Sequence, residues 1–396
     1  MRRSVRNSIL TILCGAMITA AASCATSQTY PVTVDGEKFR AGLYILEQQA
    51  AISEAVSKID EEQPDLDTSA DDFDYFKQTV EGQKFGDWVN ARALENCREY
   101  VAVTRLFDQY GLEVTSDELK NISANVNQLW TQENQYAQYF YGVSIVGEYY
   151  EKFGIGEQSY KELQIEGLKR DKLFEHLYGE GGEKTATEDE IKTSLLNDYL
   201  ALNYFPFELS DADAKTYADR IAAGESYEAV YRDYAQALAD KEATESAAAA
   251  DTSDTETADD TETADDTENA DDTENAEGEE TTSSTTVEIA EKDSLIQIIK
   301  KSNGSPSESF IDQASAMNTG DVKVITVEAE ADTRTYVVQR LDILAYPEKT
   351  VDTINTIRSD LKQDEYNDLL KQTGAAYSLT TDSSINLYKP EKLMEK

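Results

Sequence analysis

The spacing of apolar and polar residues divides the chain into regions of different predicted structure. From about residue 40 to about residue 200, apolar residues recur every three or four positions, which predicts amphipathic helices. Two helix starts carry the spacing of a capping box, Thr115 with Glu118 and Thr187 with Glu190. Ahead of the helices, residues 30–39 alternate in polarity and turn at an Asp-Gly pair, which predicts a short strand.

The pattern becomes mixed after about residue 200. Residues 201–208 are short and aromatic and contain Pro206, which suits an edge or terminal position in a sheet. Two amphipathic helices follow, separated by Gly224. After residue 293 the pattern predicts five elements in order: a helical turn or two at 294–300, a helix at 310–317, strands at 322–328 and 335–343, and a C-terminal helix with a short β-like tail.

An acidic tract interrupts this second region. Residues 245–280 hold 16 acidic side chains and no basic one, and a six-residue repeat begins at Glu256. Such a segment repels itself and lacks the apolar surface that would offset its chain entropy, so we predict a disordered acidic low-complexity insert at 245–285. Diffuse counterion attraction is favoured over a calcium site, because the tract has no glycine turn and no fixed order of ligands.

Charge and composition exclude several functions. The 396 residues include 36 basic and 78 acidic side chains, a formal net charge of −42, so phosphate backbones would be repelled and nucleic-acid binding is not expected. One histidine and three cysteines are too few for a zinc site or a disulfide framework, and no cofactor or metal is expected. Cys97 falls in a helical apolar pattern and is interpreted as a core residue, and His176 as a packing or surface residue.

The first residues predict export. Arginines precede a mostly apolar run that is too short to span a bilayer, and small residues follow, which indicates a signal peptide at 1–23. Small residues directly before Cys24 resemble the bacterial lipoprotein box, which implies lipidation of Cys24 and anchoring at the extracytoplasmic face of a bacterial cell membrane. Plain secretion after cleavage near Ser23 is the alternative.

Three local strings resemble the parvulin family of peptidyl-prolyl isomerases. Residues 201–205 occupy the place of the family's opening Ala-Arg-His-Ile-Leu strand, and residues 335–342 resemble its closing Tyr-His-Ile-Ile-Lys-Val-Leu-Asp strand. Between them, Phe310 and Gly320 keep the family's Phe and Gly at the same separation. The flanks, residues 32–38, 108–118 and 186–199, resemble the chaperone domain of SurA and PrsA foldases.

This resemblance implies an α+β fold. A mainly helical chaperone domain of the SurA N-terminal or trigger-factor type would be built from both chain ends, with a parvulin-like α/β domain, a small antiparallel sheet plus helices, inserted between them. The expected order after the signal peptide is a helical domain at 24–195, the parvulin-like domain at 196–345 with its acidic insert, and a C-terminal helix and tail at 346–396 that complete the chaperone domain.

The same resemblance implies a prolyl-isomerase pocket that lacks its imidazoles. The family's two histidines fall at Asn203 and Tyr336, Phe310 and Met317 are further pocket-equivalent positions, and Ser315 stands where a phenylalanine is expected. An isomerase favours the twisted amide without making bonds, so a proline slot and a polar network are its requirements. Catalysis is expected to be weak or lost, and enzymatic activity is left open.

Client binding is the second function that the resemblance implies. The partners would be unfolded or newly secreted polypeptides, and tyrosines suit this role because they combine a large apolar face with a polar tip. The candidates are Tyr139, Tyr141, Tyr149 and Tyr150, although helix packing would also explain them. A solute-binding lipoprotein of a transporter and a structural surface protein are the competing hypotheses; the sequence sets no oligomeric state.

Overall fold

The computed structural model describes residues 29–68, 70, 73–208, 211–251, 295–328 and 333–394. The predicted signal peptide, Cys24 and residues 252–285 of the predicted insert lie outside the described residues. The chain separates into two compact units: unit 1 holds the residues up to Ala186 and from Arg358 onward, and unit 2 runs from Thr187 to Ile357. The described structure is mainly helical with small antiparallel sheets.

A three-stranded sheet in unit 1 joins the two ends of the chain. Strand β1 (Val32–Val34) pairs antiparallel with β2 (Glu37–Phe39) on one side and with β9 (Leu379–Thr381) on the other. The β1–β2 hairpin turns through Asp35 and Gly36, both with positive φ (48° and 85°), the backbone region that favours glycine. A small β3–β4 hairpin (Thr79–Val80 and Gln83–Lys84) follows later.

Helices form the rest of unit 1. The capping boxes predicted at Thr115 and Thr187 are both confirmed, each with the threonine hydroxyl accepting from the N3 amide and the N3 glutamate accepting from the N-cap amide. The capping box at Thr115 begins helix α3. The helices of this unit are α1 (Ala41–Glu62), α2 (Phe85–Gln109), α3 (Ser116–Thr131), α4 (Gln135–Tyr141), α5 (Val146–Lys152), α6 (Glu157–Tyr178) and most of α11 (Val351–Ala375).

The C-terminal residues complete the core of unit 1. Leu370 of α11 is fully buried in a cluster with residues of α2 and α6. The hydroxyl of Tyr366 donates to the backbone carbonyl of Arg170 at 2.8 Å. Further on, the buried Gln48 side chain of α1 donates from Nε2 to the carbonyl of Tyr388 at 3.1 Å. Cys97 is fully buried in the largest cluster, as the sequence predicts, and burial raises the pKa of its thiol.

Unit 2 is a four-stranded antiparallel sheet with helices on both faces. It begins with α7 (Glu188–Asp198), which continues directly into the first strand and so belongs to this unit, although the sequence assigns it to the helical domain. The strand order is β6-β5-β8-β7. The strands are β5 (Tyr199–Phe207), β6 (Ile296–Lys300), β7 (Val322–Glu328) and β8 (Thr333–Leu341), and the helices are α8 (Asp211–Ala222), α9 (Tyr227–Asp251) and α10 (Glu308–Ser315).

Two sequence predictions for unit 2 need correction. Residues 296–300 form a strand, not a helical turn, because three isoleucines fit a pleated surface and the backbone pairs with β5 from Tyr199 to Asn203. Helix α9 continues to Asp251, past residue 245 where the insert was predicted to begin, since Ala247–Ala250 are strong helix formers. Strand β5 is interior, and Pro206 lies near its end, beyond the pairing with β6.

Among the described residues, no helix combines the length and the apolar character that crossing a bilayer requires.

Truncation of Leu370 tests whether the C-terminal helix is part of the unit 1 core. Leu370→Ala should lower the unfolding free energy by about 2–5 kcal/mol, because it leaves a cavity in a buried cluster. Both tryptophans, Trp88 and Trp130, lie in unit 1, so their fluorescence in a urea titration measures this change.

Leu361→Ala is the matched control on the same helix, since Leu361 is 41% exposed and its truncation should cost less than about 1 kcal/mol. Equal losses for the two variants would contradict the packing described for α11.

Candidate functional site

The sheet of unit 2 positions the residues that the sequence assigns to a prolyl-isomerase pocket. Strands β5 and β8 are neighbours, and their antiparallel register pairs Tyr204 with Val338, Pro206 with Tyr336 and Asn203 with Gln339. Side chains alternate between the two faces along each strand. Even-numbered residues of β5 and β8 therefore face α10, here called the α10 face, and odd-numbered residues face α8 and α9, here called the α8 face.

Three of the four predicted pocket positions meet on the α10 face. Phe310, Met317 and Tyr336 belong to one buried cluster, and the rings of Phe310 and Tyr336 lie edge to face with their centroids 5.0 Å apart. Tyr204 joins them, at 5.1 Å from Phe310 and 6.0 Å from Tyr336. Such aromatic pairs add about 0.5–1.5 kcal/mol each beyond their area burial, so this trio fixes α10 against the sheet.

Asn203 does not join this group, which corrects the sequence assignment. It lies on the α8 face, where its Nδ2 donates to Oε1 of Gln339 at 3.1 Å. Tyr336 pairs with Pro206 of β5, and Asn203 lies three positions before Pro206. Because three is an odd number, the side chains of Asn203 and Tyr336 lie on opposite sides of the sheet. Tyr204, one residue later, is the strand residue that contacts Tyr336. Asn203 is 4% exposed, and its Oδ1 has no hydrogen-bond partner among the described residues.

The α10 face is closed by its own side chains. Phe310 is fully buried, Tyr336 and Met317 are 5% and 6% exposed, and Tyr204 is partly buried. Burial raises the pKa of the Tyr204 phenol, and Tyr336 raises it further, so the Tyr204 ring stays neutral at physiological pH. Ser315 lies exposed at the end of α10 and fills no space in this cluster. The face offers phenol hydroxyls and apolar surface but no imidazole, because His176, the one histidine, belongs to unit 1.

A second aromatic cluster lies in unit 1, on the short helices α4 and α5. The four predicted client-binding tyrosines differ there in exposure. Tyr139 is 82% exposed, Tyr141 and Tyr150 are partly buried, and Tyr149 is buried in a small core. The Tyr141 and Tyr149 rings stack at 4.4 Å, and Tyr149 meets Tyr150 edge to face at 5.5 Å. Packing therefore accounts for Tyr149 and much of Tyr141 and Tyr150, whereas Tyr139 faces solvent.

Two further exposed rings accompany Tyr139. Tyr136 is 74% exposed and Phe140 38%, and Phe140 stacks on Tyr136 at 6.5 Å and meets Tyr139 edge to face at 4.9 Å. These three residues are called the aromatic patch. They recur at i, i+3 and i+4 on α4, a spacing visible in the sequence. Periodicity alone does not show which stripe of a helix is buried, and here Ala137 fills the inward position.

Local capping holds the aromatic patch in place. Oδ1 of Asn134 accepts from the backbone amides of Tyr136 and Ala137, which starts α4, and Gly142 ends the helix in the left-handed conformation at φ 65°. Gly147 lets α5 approach α3 closely, because a Cβ there would lie 2.7 Å from the ring of Trp130. The patch is thus presented by a braced helix of seven residues rather than by a loose loop.

A polar cleft of about 610 Å³ is the third feature, also within unit 1. Side chains of both signs line it, and they include Arg92, Glu99 and Arg170, which reach into the packed interior, and Asp364 and Asp368 of α11. No group of three or more potential metal-ligating side chains is found within the part of the chain that the structure describes.

The comparisons with known proteins give structural matches only. No family model matches the sequence, and no curated protein matches it. The foldase protein PrsA from Lactococcus lactis matches with a TM-score of 0.33 and 11% identity, over 93% of this chain and 100% of that chain. PrsA from Streptococcus pneumoniae matches at 0.32 and 13% (76% and 92% of the two chains), and PrsA from Bacillus subtilis at 0.26 and 13% (72% and 82%). The chain is thus similar to PrsA foldase structures, at a level that relates no individual side chains.

Truncation of Phe310 tests whether the α10 face is a packed core or an open slot. Phe310→Ala should destabilise unit 2 by about 3–5 kcal/mol, because the ring is fully buried against the sheet. Amide hydrogen exchange of β5 and β8 measures this loss without relying on the tryptophans of unit 1.

Ser315→Ala on the same helix should change the exchange by less than about 0.5 kcal/mol, since Ser315 is exposed. Unchanged protection of β5 and β8 in Phe310→Ala would instead indicate an open slot at this face.

Proposed function

We propose that this chain is an extracytoplasmic chaperone of the foldase type, which keeps unfolded or newly secreted polypeptides from aggregating. Unit 1 would serve as the chaperone domain built from both chain ends, and unit 2 as a parvulin-like module. The finding that carries the proposal is the aromatic patch, because Tyr136 and Tyr139 are 74% and 82% exposed and contact Phe140 on the same helix, which presents large apolar faces to solvent.

Charge complementarity selects the kind of segment that the aromatic patch would bind. Residues 132–152 around the patch contain Glu133, Glu148 and Glu151 and one basic residue, Lys152, and the whole chain carries a net charge of −42. Unfolded segments that combine apolar and basic residues fit such a surface. Their attraction would be screened beyond about 8 Å at physiological ionic strength, so higher salt should weaken capture.

The proposal includes a prolyl-isomerase activity that is weak or lost. Rotation about a prolyl bond has a barrier of about 18–20 kcal/mol, which an isomerase lowers by favouring the twisted amide in an accessible pocket. Tyr336 and Phe310 are buried against each other, and neither β5 nor β8 carries an imidazole. Unit 2 is therefore better suited to binding clients, or to acting as a spacer, than to catalysing prolyl isomerisation.

A refolding assay tests both the chaperone activity and the isomerase activity. A basic, proline-limited model protein is refolded with and without the chain, and light scattering and the slow folding phase are followed together. We expect lower scattering and a slow phase that changes less than about twofold. Acceleration of about tenfold or more, equivalent to about 1.4 kcal/mol of barrier, would show an active isomerase.

Paired substitutions in the same assay test the aromatic patch. Tyr136→Ser with Tyr139→Ser should weaken client capture about tenfold, since loss of two exposed rings removes more than the ~1.4 kcal/mol that a tenfold change represents. Leu387→Ser is the matched control, because Leu387 is an exposed apolar residue of unit 1 outside the patch, at 64% exposure. Equal suppression by all three proteins would exclude the patch as the client site.

Lipid anchoring at Cys24 is part of the same proposal and rests on the sequence before it. In a bacterial host, the full chain should incorporate an alkyne-tagged fatty acid and partition with membranes, whereas Cys24→Ser should do neither. Release of the unmodified wild-type chain into the medium would favour plain secretion.

A further inference from the structure

Three buried carboxylates lie on α1, α2 and α6, helices that pack against one another, and they interact electrostatically. Glu47 of α1, Glu99 of α2 and Glu166 of α6 are 8%, 8% and 6% exposed, and this set is called the carboxylate joint. Arg92 of α2 and Arg170 of α6 are the cations of the region, with side chains 22% and 33% exposed. A buried carboxylate is costly to ionise unless a cation and hydrogen bonds compensate it, so the pairing decides how many of the three are charged.

The two arginines form ion pairs with carboxylates other than Glu47. Arg170 Nε lies 3.1 Å from Oε1 of Glu166. Arg92 Nη1 lies 2.6 Å from Oε1 of Glu99, and Nε of the same side chain lies 2.7 Å from Oε2 of Glu54 at the rim. No ion pair reaches Glu47 within the described ranges of the chain.

In the part of the chain that the structure describes, the other titratable groups that interact with Glu47 supply no further cation. Cys97 and Tyr100 of α2 lie close enough to interact with it electrostatically, and neither becomes positive. Burial, with smaller contributions from Glu166 and Glu99, raises the pKa of Glu47 to about 8, although Arg170 and Arg92 oppose the shift. Burial also raises the pKa of Glu166, against the effect of Arg170.

We propose that the carboxylate joint is a pH-sensitive contact: one proton, held mainly on Glu47, keeps α1, α2 and α6 packed, and its loss in alkaline medium loosens α6. The reason is the charge count. With the proton present, two buried carboxylates pair with two guanidinium groups. Without it, three buried carboxylates share these two groups, and Arg92 also pairs with the more exposed Glu54 and Glu95.

The direction of the pH effect follows from where the proton binds. In the unfolded chain Glu47 titrates near its ordinary value of 4.5, whereas in the folded chain it titrates near 8. Between these values the folded state holds more protons than the unfolded state, so stability falls as the pH rises through this window and levels off above it.

The joint also borders the polar cleft of unit 1. Arg92, Glu99 and Arg170 line that cleft as well as the packed interior. Any shift of α6 at the joint would therefore change the charged wall of the cleft, which gives the contact a means to alter what unit 1 binds.

Substitution of Glu47 by glutamine tests the proposal, because glutamine has the shape of the protonated acid and no proton to lose. Thermal melts of the full chain are followed by tryptophan fluorescence from pH 4.5 to pH 9. Wild type and Glu47→Gln should melt within about 2 °C of each other at pH 4.5, the lower edge of this window. The gap should widen as the pH rises, and the variant should melt about 5 °C or more above wild type at pH 9.

Glu95→Gln is the control on α2, since Glu95 is 46% exposed and lies 3.6 Å from the same Arg92, and it should keep the wild-type pH dependence. Amide hydrogen exchange gives a readout in the wild-type chain alone: after correction for intrinsic rates, protection of α6 should fall between pH 6 and pH 9. Parallel melting curves for wild type and Glu47→Gln, or constant protection of α6, would overturn the proposal.

Discussion

The pairing of β1 with β9 is the contact on which the first unit depends, because it joins residues from the two ends of the chain. Val32 faces Thr381 and Val34 faces Leu379, and the same strand pairs with β2 on its other edge. The entropy of closing a loop grows only with the logarithm of its length, by about 0.6 kcal/mol for each doubling. Unit 1 can therefore accept the whole of unit 2 and a long acidic segment as an insertion in the chain between β1 and β9, at little additional cost in loop entropy.

The two aromatic groups show how similar side chains take different roles. On the α10 face, Phe310 and Tyr336 are shielded by the sheet and a helix, so their rings contribute to stability. On α4, Ala137 occupies the inward position and leaves Tyr136 and Tyr139 in solvent, so their rings are available to a partner. Fold resemblance alone would direct attention to the first group, whereas exposure directs it to the second.

Local signals in the sequence were sufficient for much of the fold. Both capping boxes, strand β7 and the helix pattern before residue 200 follow from short-range chemistry, and each is present. The errors fall where the outcome depends on distant partners. Residues 296–300 become a strand because β5 is available to pair with them, and the register of β5 with β8 places Asn203 on the face of the sheet opposite Tyr336. The carboxylate joint was invisible for the same reason, since its members come from three separate helices.

The closure of unit 1 by the last strand has a consequence for a chain that emerges from a ribosome or a translocon with its amino terminus first. All strands of unit 2 lie in one contiguous stretch, Thr187–Ile357, so its sheet can form before the remainder of the chain arrives. Strand β1 must wait for β9, and until then one edge of it is unpaired. The chain that we propose protects other nascent polypeptides thus passes through an aggregation-prone stage of its own, which ends only when β9 has been released.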